Sequence, residues 1–117
     1  MNCKALMLYL CLLFVKEKIL HVYKNSGKPI IKGLPKTIIT EIGELAVLTC
    51  EFSGDAKASV TWTKDGLGSI PRAQFENNKK ILIIRDVVPG DSGIYECKAM
   101  NMFGESRTAT IVIVAGK

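Results

Sequence analysis

Apolar residues recur at every second position through most of this chain. Between Glu44 and Phe52, the residues Ala46, Leu48, Cys50 and Phe52 share one parity, and Leu45 and Val47 fall on the other. A period of two places alternate side chains on opposite faces of a strand. The segment from Glu44 to Phe52 is therefore expected to be a strand with its Cys50 side turned inward. The same period predicts strands over Ala58–Lys64, with Val60 and Trp62 on one face, and around Cys97, where Tyr95, Cys97 and Ala99 alternate with Ile94, Glu96 and Lys98. Arg72–Glu76 and Lys80–Arg85 read as two further strands, and Glu105–Val114 as the last. In that last segment Ile111, Val112, Ile113 and Val114 are apolar at both parities. Ile30-Ile31 and Ile38-Ile39, split by Gly33 and Pro35, read as halves of a broken first strand, with Pro35 suited to an edge.

Turn chemistry punctuates these runs. Gly54-Asp55, Lys64-Asp65-Gly66, Asn77-Asn78-Lys79, Asp91-Ser92-Gly93 and Asn101–Gly104 each interrupt the alternation with residues that favour turns or tolerate positive φ. Leu67 to Pro71 is too irregular for a strand. Short strands separated by such turns point to an all-β chain.

Cys50, Trp62 and the run Asp91-x-Gly93-x-Tyr95-x-Cys97-x-Ala99-x-Asn101-x-x-Gly104 form an ordered set. This set resembles an immunoglobulin-fold domain of the intermediate, or I-set, type, and the match extends over roughly Lys28 to Ala115. The resemblance implies a two-sheet antiparallel Greek-key sandwich with short or missing C′ and C″ strands. It implies that Trp62 packs on a Cys50–Cys97 bridge, with Leu48, Leu82 and Tyr95 in the core. Ile84 matches an inward position beside Leu82. The resemblance further implies a structural ion pair between Arg72 and Asp91, and a Tyr95 hydroxyl bonded to backbone. Cys50 and Cys97 lie 47 residues apart. Closing a loop of that size stabilises a fold by roughly 4 kcal/mol in the chain-entropy model. The alternative is a reduced pair packed as two small hydrophobes, as in some intracellular I-set modules.

Composition sets the boundaries of the domain. The chain has 117 residues, enough for one domain, and at 48% hydrophobic it is not disordered. Its net charge of +5 is concentrated at the start: residues 1–27 hold four lysines and one glutamate, leaving 12 basic and 10 acidic residues beyond. The domain is thus nearly balanced and lacks the basic stripe of a nucleic-acid binder. Residues 1–27 read as a signal peptide and linker, and residues 28–117 as the domain. Lys4 supplies a positive start, and Ala5–Val15 is an apolar run of 11 residues. That is too short for a membrane span of about 20 residues but suits a signal h-region of about 7–15. Lys16-Glu17-Lys18 interrupts the run without a small-x-small cleavage site. An uncleaved anchor, an amphipathic extension and a fragment with an arbitrary start therefore remain alternatives. No transmembrane span, lipidation tail or second domain is expected.

Catalytic readings fail on inventory. The only histidine, His21, lies outside the domain, which removes Ser/His and Cys/His arrangements. No second cysteine pair stands near Cys50 and Cys97, so a metal site is not expected. The sequence implies no cofactor, no small-molecule substrate and no enzyme activity. No Asn-x-Ser/Thr sequon occurs, so N-glycosylation is not expected.

Function must then reside in a surface. Two candidates stand out. If Leu48, Cys50, Leu82 and Ile84 point inward, Leu45, Val47, Ile81 and Ile83 point outward and form an apolar patch on neighbouring strands. The second candidate is the loop tip, where Met102 and Phe103 stand between Asn101 and Gly104. The resulting expectation is a secreted or cell-surface binding or adhesion module that recognises a protein, homophilically or heterophilically. Its rivals are a structural spacer from an intracellular protein of the titin or twitchin kind, and a piece or soluble form of an immunoglobulin-containing receptor kinase.

Overall fold

Alternating burial is realised as nine strands and one short helix among the described residues of a computed structural model, which describes residues 27–32, 36–53 and 57–116. The strands are β1 (Ile30–Ile31), β2 (Lys36–Glu41), β3 (Ala46–Thr49), β4 (Phe52–Ser53), β5 (Ser59–Lys64), β6 (Gln74–Glu76), β7 (Ile81–Ile84), β8 (Gly93–Asn101) and β9 (Gly104–Ala115). A 3-10 turn, Pro89–Asp91, precedes β8. The apolar leader, Pro35 and the Gly54-Asp55 turn lie outside the described residues.

Two main sheets face each other. One has the order β2-β9-β8-β5 and the other β3-β7-β6, with β1 and β4 forming a small ribbon beside them. Leu48, Cys50, Val60, Trp62, Leu82, Ile84, Tyr95, Cys97 and Val112 meet between them as one buried cluster. All pairings are antiparallel except β2 with β9, where Ile38 lies beside Val112 and Ile39 beside Ile113 in parallel register. The exception follows from the broken first strand. Its first half pairs with β4, and its second half has crossed to the opposite sheet, where it meets β9 running the same way.

Several strands differ from their expected bounds; Lys80–Arg85 shrinks to Ile81–Ile84, and Glu105–Val114 extends to Gly104–Ala115. The strand expected over Glu44–Phe52 divides into β3 and β4, because the chain changes neighbour there: Thr49 faces Ile81 in β7, whereas Phe52 faces Ile31 in β1. The strand expected from Arg72 begins only at Gln74, because Arg72 is turned toward backbone carbonyls and a carboxylate described below. The strand expected from Ala58 begins at Ser59. After β5 the chain turns at Asp65 and Gly66, both with positive φ, and Lys64 bridges back to Leu67. No C′ or C″ strand follows among the described residues. Asn77, Asn78 and Lys79 all adopt left-handed φ, between 51° and 65°. The Lys79 carbonyl in this turn accepts the Trp62 indole N–H at 2.7 Å.

Candidate functional site

The centre of the sandwich is a covalent and hydrogen-bonded frame. Cys50 and Cys97 are joined as a disulfide with their Cα atoms 6.2 Å apart. Trp62 stands directly opposite Cys97 in the β5–β8 register, in the same buried cluster. Trp62, Tyr95, Leu48 and Leu82 are all buried.

One pole of the frame is organised by Asp91. Its carboxylate accepts Arg72 Nε at 2.8 and 3.1 Å and the Val88 backbone N–H at 2.9 Å. Its carbonyl accepts the Tyr95 hydroxyl at 2.7 Å. Arg72 Nη2 donates to the carbonyls of Arg85 and Asp86 at 3.1 and 3.0 Å. The half-exposed arginine thus ties the end of β7 to the turn that starts β8. Burial pushes the Tyr95 phenol up to about 12, with Asp91 and Asp65 adding to the shift. A cleft of about 340 Å³ opens beside this cluster, lined by Lys64, Leu67, Ile70 and Val88 together with Arg72 and Asp91. At its edge Arg72 and the Tyr95 hydroxyl both bond to Asp91.

The apolar patch expected on the β3–β7 face is incomplete. Leu45 and Val47 are exposed, and Ile81 is partly covered. Ile83 is buried, with 7% of its surface exposed. Its strand is the central one: Val47 flanks it on one side and Gln74 on the other, and Arg85 Nε holds the Gln74 side chain at 3.1 Å. An outward parity therefore does not expose it.

At the loop tip, β8 and β9 are joined by the two residues Met102 and Phe103. Met102 is 89% exposed and Phe103 is 43% exposed. Asn101 does not adopt positive φ. It shapes the turn with its side chain instead: Oδ1 accepts the Phe103 N–H at 2.8 Å, and Nδ2 donates to the Gly27 carbonyl at 3.2 Å. Such a local side-chain bond replaces a backbone turn.

A second apolar surface lies on the outer face of the other sheet. Ile39 of β2, Ile111 and Ile113 of β9, and Ile94 of β8 are all exposed, Ile39 by 70%. Ile39 lies beside Ile113, and Ile111 beside Ile94. Farther along the same face, Arg107 pairs with Glu96 at 3.3 Å and Glu105 at 3.0 Å, and Lys98 approaches Glu105 at 3.8 Å. The Arg107 hydrogen bond holds the Glu105 carboxyl below its ordinary range. Among the described residues, no group of three His, Cys, Asp or Glu side chains could hold a metal ion. No helix among them is long and apolar enough to cross a membrane.

The family model for the immunoglobulin I-set domain matches residues 29–114. The chain belongs to the immunoglobulin I-set family. This I-set domain is 31% identical over 87 residues to peroxidasin homolog of Homo sapiens, a match covering 74% of the chain and 6% of that protein. It is 33% identical over 90 residues to vascular endothelial growth factor receptor 2 of Mus musculus, covering 75% of the chain and 7% of the receptor. It therefore spans a small part of the curated relatives it matches. Among solved structures, it resembles a chain of the titin M10–obscurin-like 1 Ig complex, with TM-score 0.68, 28% identity, and coverage of 79% of this chain and 98% of that one.

Sequence reasoning missed the isoleucine face of the I-set domain. Part of the signal was present. Ile111 and Ile113 have the parity opposite to Val112, and Ile94 the parity opposite to Tyr95. What was lacking was the sheet order that sets these three beside Ile39.

Proposed function

We propose that this I-set domain is a non-catalytic protein-binding module that works on the extracellular side of the membrane. One observation carries the reading: the Cys50–Cys97 disulfide, closed in the middle of the buried core. Disulfides persist in oxidising compartments and are rare in the cytosol. The module recognises another protein through a sheet face or loop end, because function on a shared fold resides in its surfaces. Residues 1–27 act as signal peptide and linker, and residues 28–117 as the domain. The similarity to a vascular endothelial growth factor receptor supports a place in an ectodomain, including a piece or soluble form of a receptor kinase.

The second reading is a structural spacer in an intracellular protein. It is favoured by the likeness to a titin-containing Ig complex. The two readings separate on one experiment. The full chain is expressed in secreting cells, and the product is assayed for intact mass and free thiols. The extracellular reading expects a shortened chain in the medium with Cys50 and Cys97 unreactive. A full-length chain kept inside the cells with both thiols reactive overturns it and puts the spacer first.

A further inference from the structure

From the turn after β5 we infer that Asp65-Gly66 is a self-modification site, at which Asp65 cyclises onto the Gly66 nitrogen and reopens as isoaspartate. Only water enters or leaves. The Gly66 nitrogen attacks Cγ of the protonated Asp65 carboxyl. An N–Cγ bond forms, and the carboxyl hydroxyl departs with the amide proton as one water molecule. The five-membered succinimide then takes up water. Cleavage between its nitrogen and the Asp65 main-chain carbonyl leaves isoaspartate, with the chain running through Cγ. Cleavage of the N–Cγ bond restores aspartate.

Three properties single out this residue. The first is the attacking nitrogen. No other aspartate and no asparagine in the chain precedes a glycine. A side chain on the following residue crowds the nitrogen, and glycine has none. A Cβ built at Gly66 would meet nothing within 4 Å, so the surroundings leave the approach open as well.

The second property is hydrogen bonding. After Asp86, the Val87 N–H donates to the Glu44 carbonyl at 3.0 Å, and after Asp91, the Ser92 N–H donates to the Pro89 carbonyl at 3.1 Å. The Gly66 N–H makes no hydrogen bond among the described residues. The third property is access. Asp91 is buried and its carboxylate is held by Arg72. Asp65 and Gly66 are both exposed to the water that the reaction releases and consumes.

One contact restrains the step. The Asp65 carboxylate accepts the Ile94 N–H at 2.9 Å and lies over Gly93. While so held, the carboxyl is aimed at β8, and ring closure requires it to turn to Gly66. A single exposed hydrogen bond opens often. It therefore slows the reaction by about fivefold, the effect of a typical net hydrogen bond, without preventing it.

The product alters the pole of the domain at which it forms. Isoaspartate places one more carbon in the main chain and carries its carboxylate directly on Cα. That carboxylate no longer reaches across Gly93 to Ile94, and the turn closed by Lys64 and Leu67 is lengthened. Asp65 also lines the cleft beside Asp91. The mouth of the cleft thus changes as the protein ages.

The test is storage of the folded full chain in mildly acidic buffer at body temperature, with a second sample unfolded in guanidinium chloride as the clock. Trypsin releases the peptide Asp65–Arg72, because Lys64 precedes it and Arg72 ends it. Its aspartate and isoaspartate forms have equal mass, separate by chromatography and differ in electron-transfer fragmentation. The expected result is isoaspartate at position 65 of the folded chain, with Asp86 and Asp91 unchanged over the same time. The folded chain reacts about fivefold more slowly than the unfolded one. Gly93→Ala, shown folded by circular dichroism, removes most of that protection, because its methyl displaces the carboxylate from Ile94. In the aged unsubstituted chain, the Ile94 amide of the modified fraction exchanges with deuterium faster than that of the intact fraction, a readout that depends on no variant. A folded chain still unmodified at position 65 long after the unfolded chain has reached its plateau overturns the inference. So does isoaspartate appearing as fast at Asp86 or Asp91. A folded Gly93→Ala chain that reacts at the unsubstituted rate overturns the restraint by Ile94.

Discussion

The Cβ that Gly93 lacks would lie 2.7 Å from Oδ2 of Asp65 and 3.0 Å from its Oδ1. The Asp65 carboxylate lies over Gly93 because it accepts the Ile94 N–H at 2.9 Å, while the Asp65 N–H donates to the Ile94 carbonyl at 2.8 Å. The turn after β5 and the start of β8 are thus clasped together, and the glycine leaves room for the clasp. A methyl at position 93 displaces a side-chain end rather than backbone, so Gly93→Ala is expected to cost the lost hydrogen bond, about 1 kcal/mol, on top of the strain of a side chain at φ 159°. In an Asp65→Ala background the same change should cost less, by about the hydrogen bond. A double-mutant cycle in urea checks this. Equal cost in both backgrounds would remove the clasp from the explanation.

Asp91 gathers more bonds than any other carboxylate described. It is nearly fully buried and serves Arg72, Val88 and, through its carbonyl, Tyr95. Asp91→Ala leaves the Val88 N–H without its acceptor and Arg72 without its charge partner, and is expected to destabilise the fold by about 2–4 kcal/mol. Asp91→Asn keeps an acceptor for Val88 and should cost less. Chemical denaturation midpoints decide the order. Equal losses from the two substitutions would mean that charge alone matters at this site.

Tyr95 makes the fold sensitive to alkali. Its phenol is held neutral up to about 12, mainly by burial, against about 10 in an unfolded chain. Between those values the unfolded state has lost the proton and the folded state has kept it. Stability from this group is therefore complete below about pH 10 and falls as pH rises toward 12, by up to about 1.4 kcal/mol per pH unit. Tyr95→Phe should flatten that slope while costing about 1 kcal/mol at neutral pH, where the bond to the Asp91 carbonyl is lost. Unfolding free energies of the two proteins at pH 8 to 11.5 supply the comparison. Parallel slopes would refute it.

The inward positions were readable because a period of two is a local property. Leu48, Cys50, Trp62, Tyr95 and Cys97 needed only their own strands to be assigned a face, and all are buried. Residue spacing in a known family pattern added the partners that strands alone cannot supply, such as Arg72 for Asp91. Parity failed where lateral neighbours decide burial. Ile83 has an outward parity but sits on a central strand between Val47 and Gln74. Ile39 and Ile113 are 74 residues apart in the chain and adjacent in the sheet. Only a parallel pairing made possible by the broken first strand brings them together.

Thr40 marks a local misfit. It is buried on β2 opposite Val114, and its hydroxyl oxygen is the buried side-chain polar atom without a hydrogen-bond partner among the described residues. A hydroxyl removed from water without compensation costs about 1–3 kcal/mol. Valine keeps the branched shape at Cβ and the strand preference while replacing the hydroxyl by a methyl. Thr40→Val is therefore expected to stabilise the domain by about 1 kcal/mol, whereas Thr40→Ala, which also deletes a packed methyl, should gain less or lose. Thermal and urea unfolding of the three proteins test the order. A loss of stability in Thr40→Val would show that the hydroxyl is satisfied in solution, through water or a shift of β2. The crossing from β1 to β2 would then be set by a polar contact as well as by the pairing of β2 with β9.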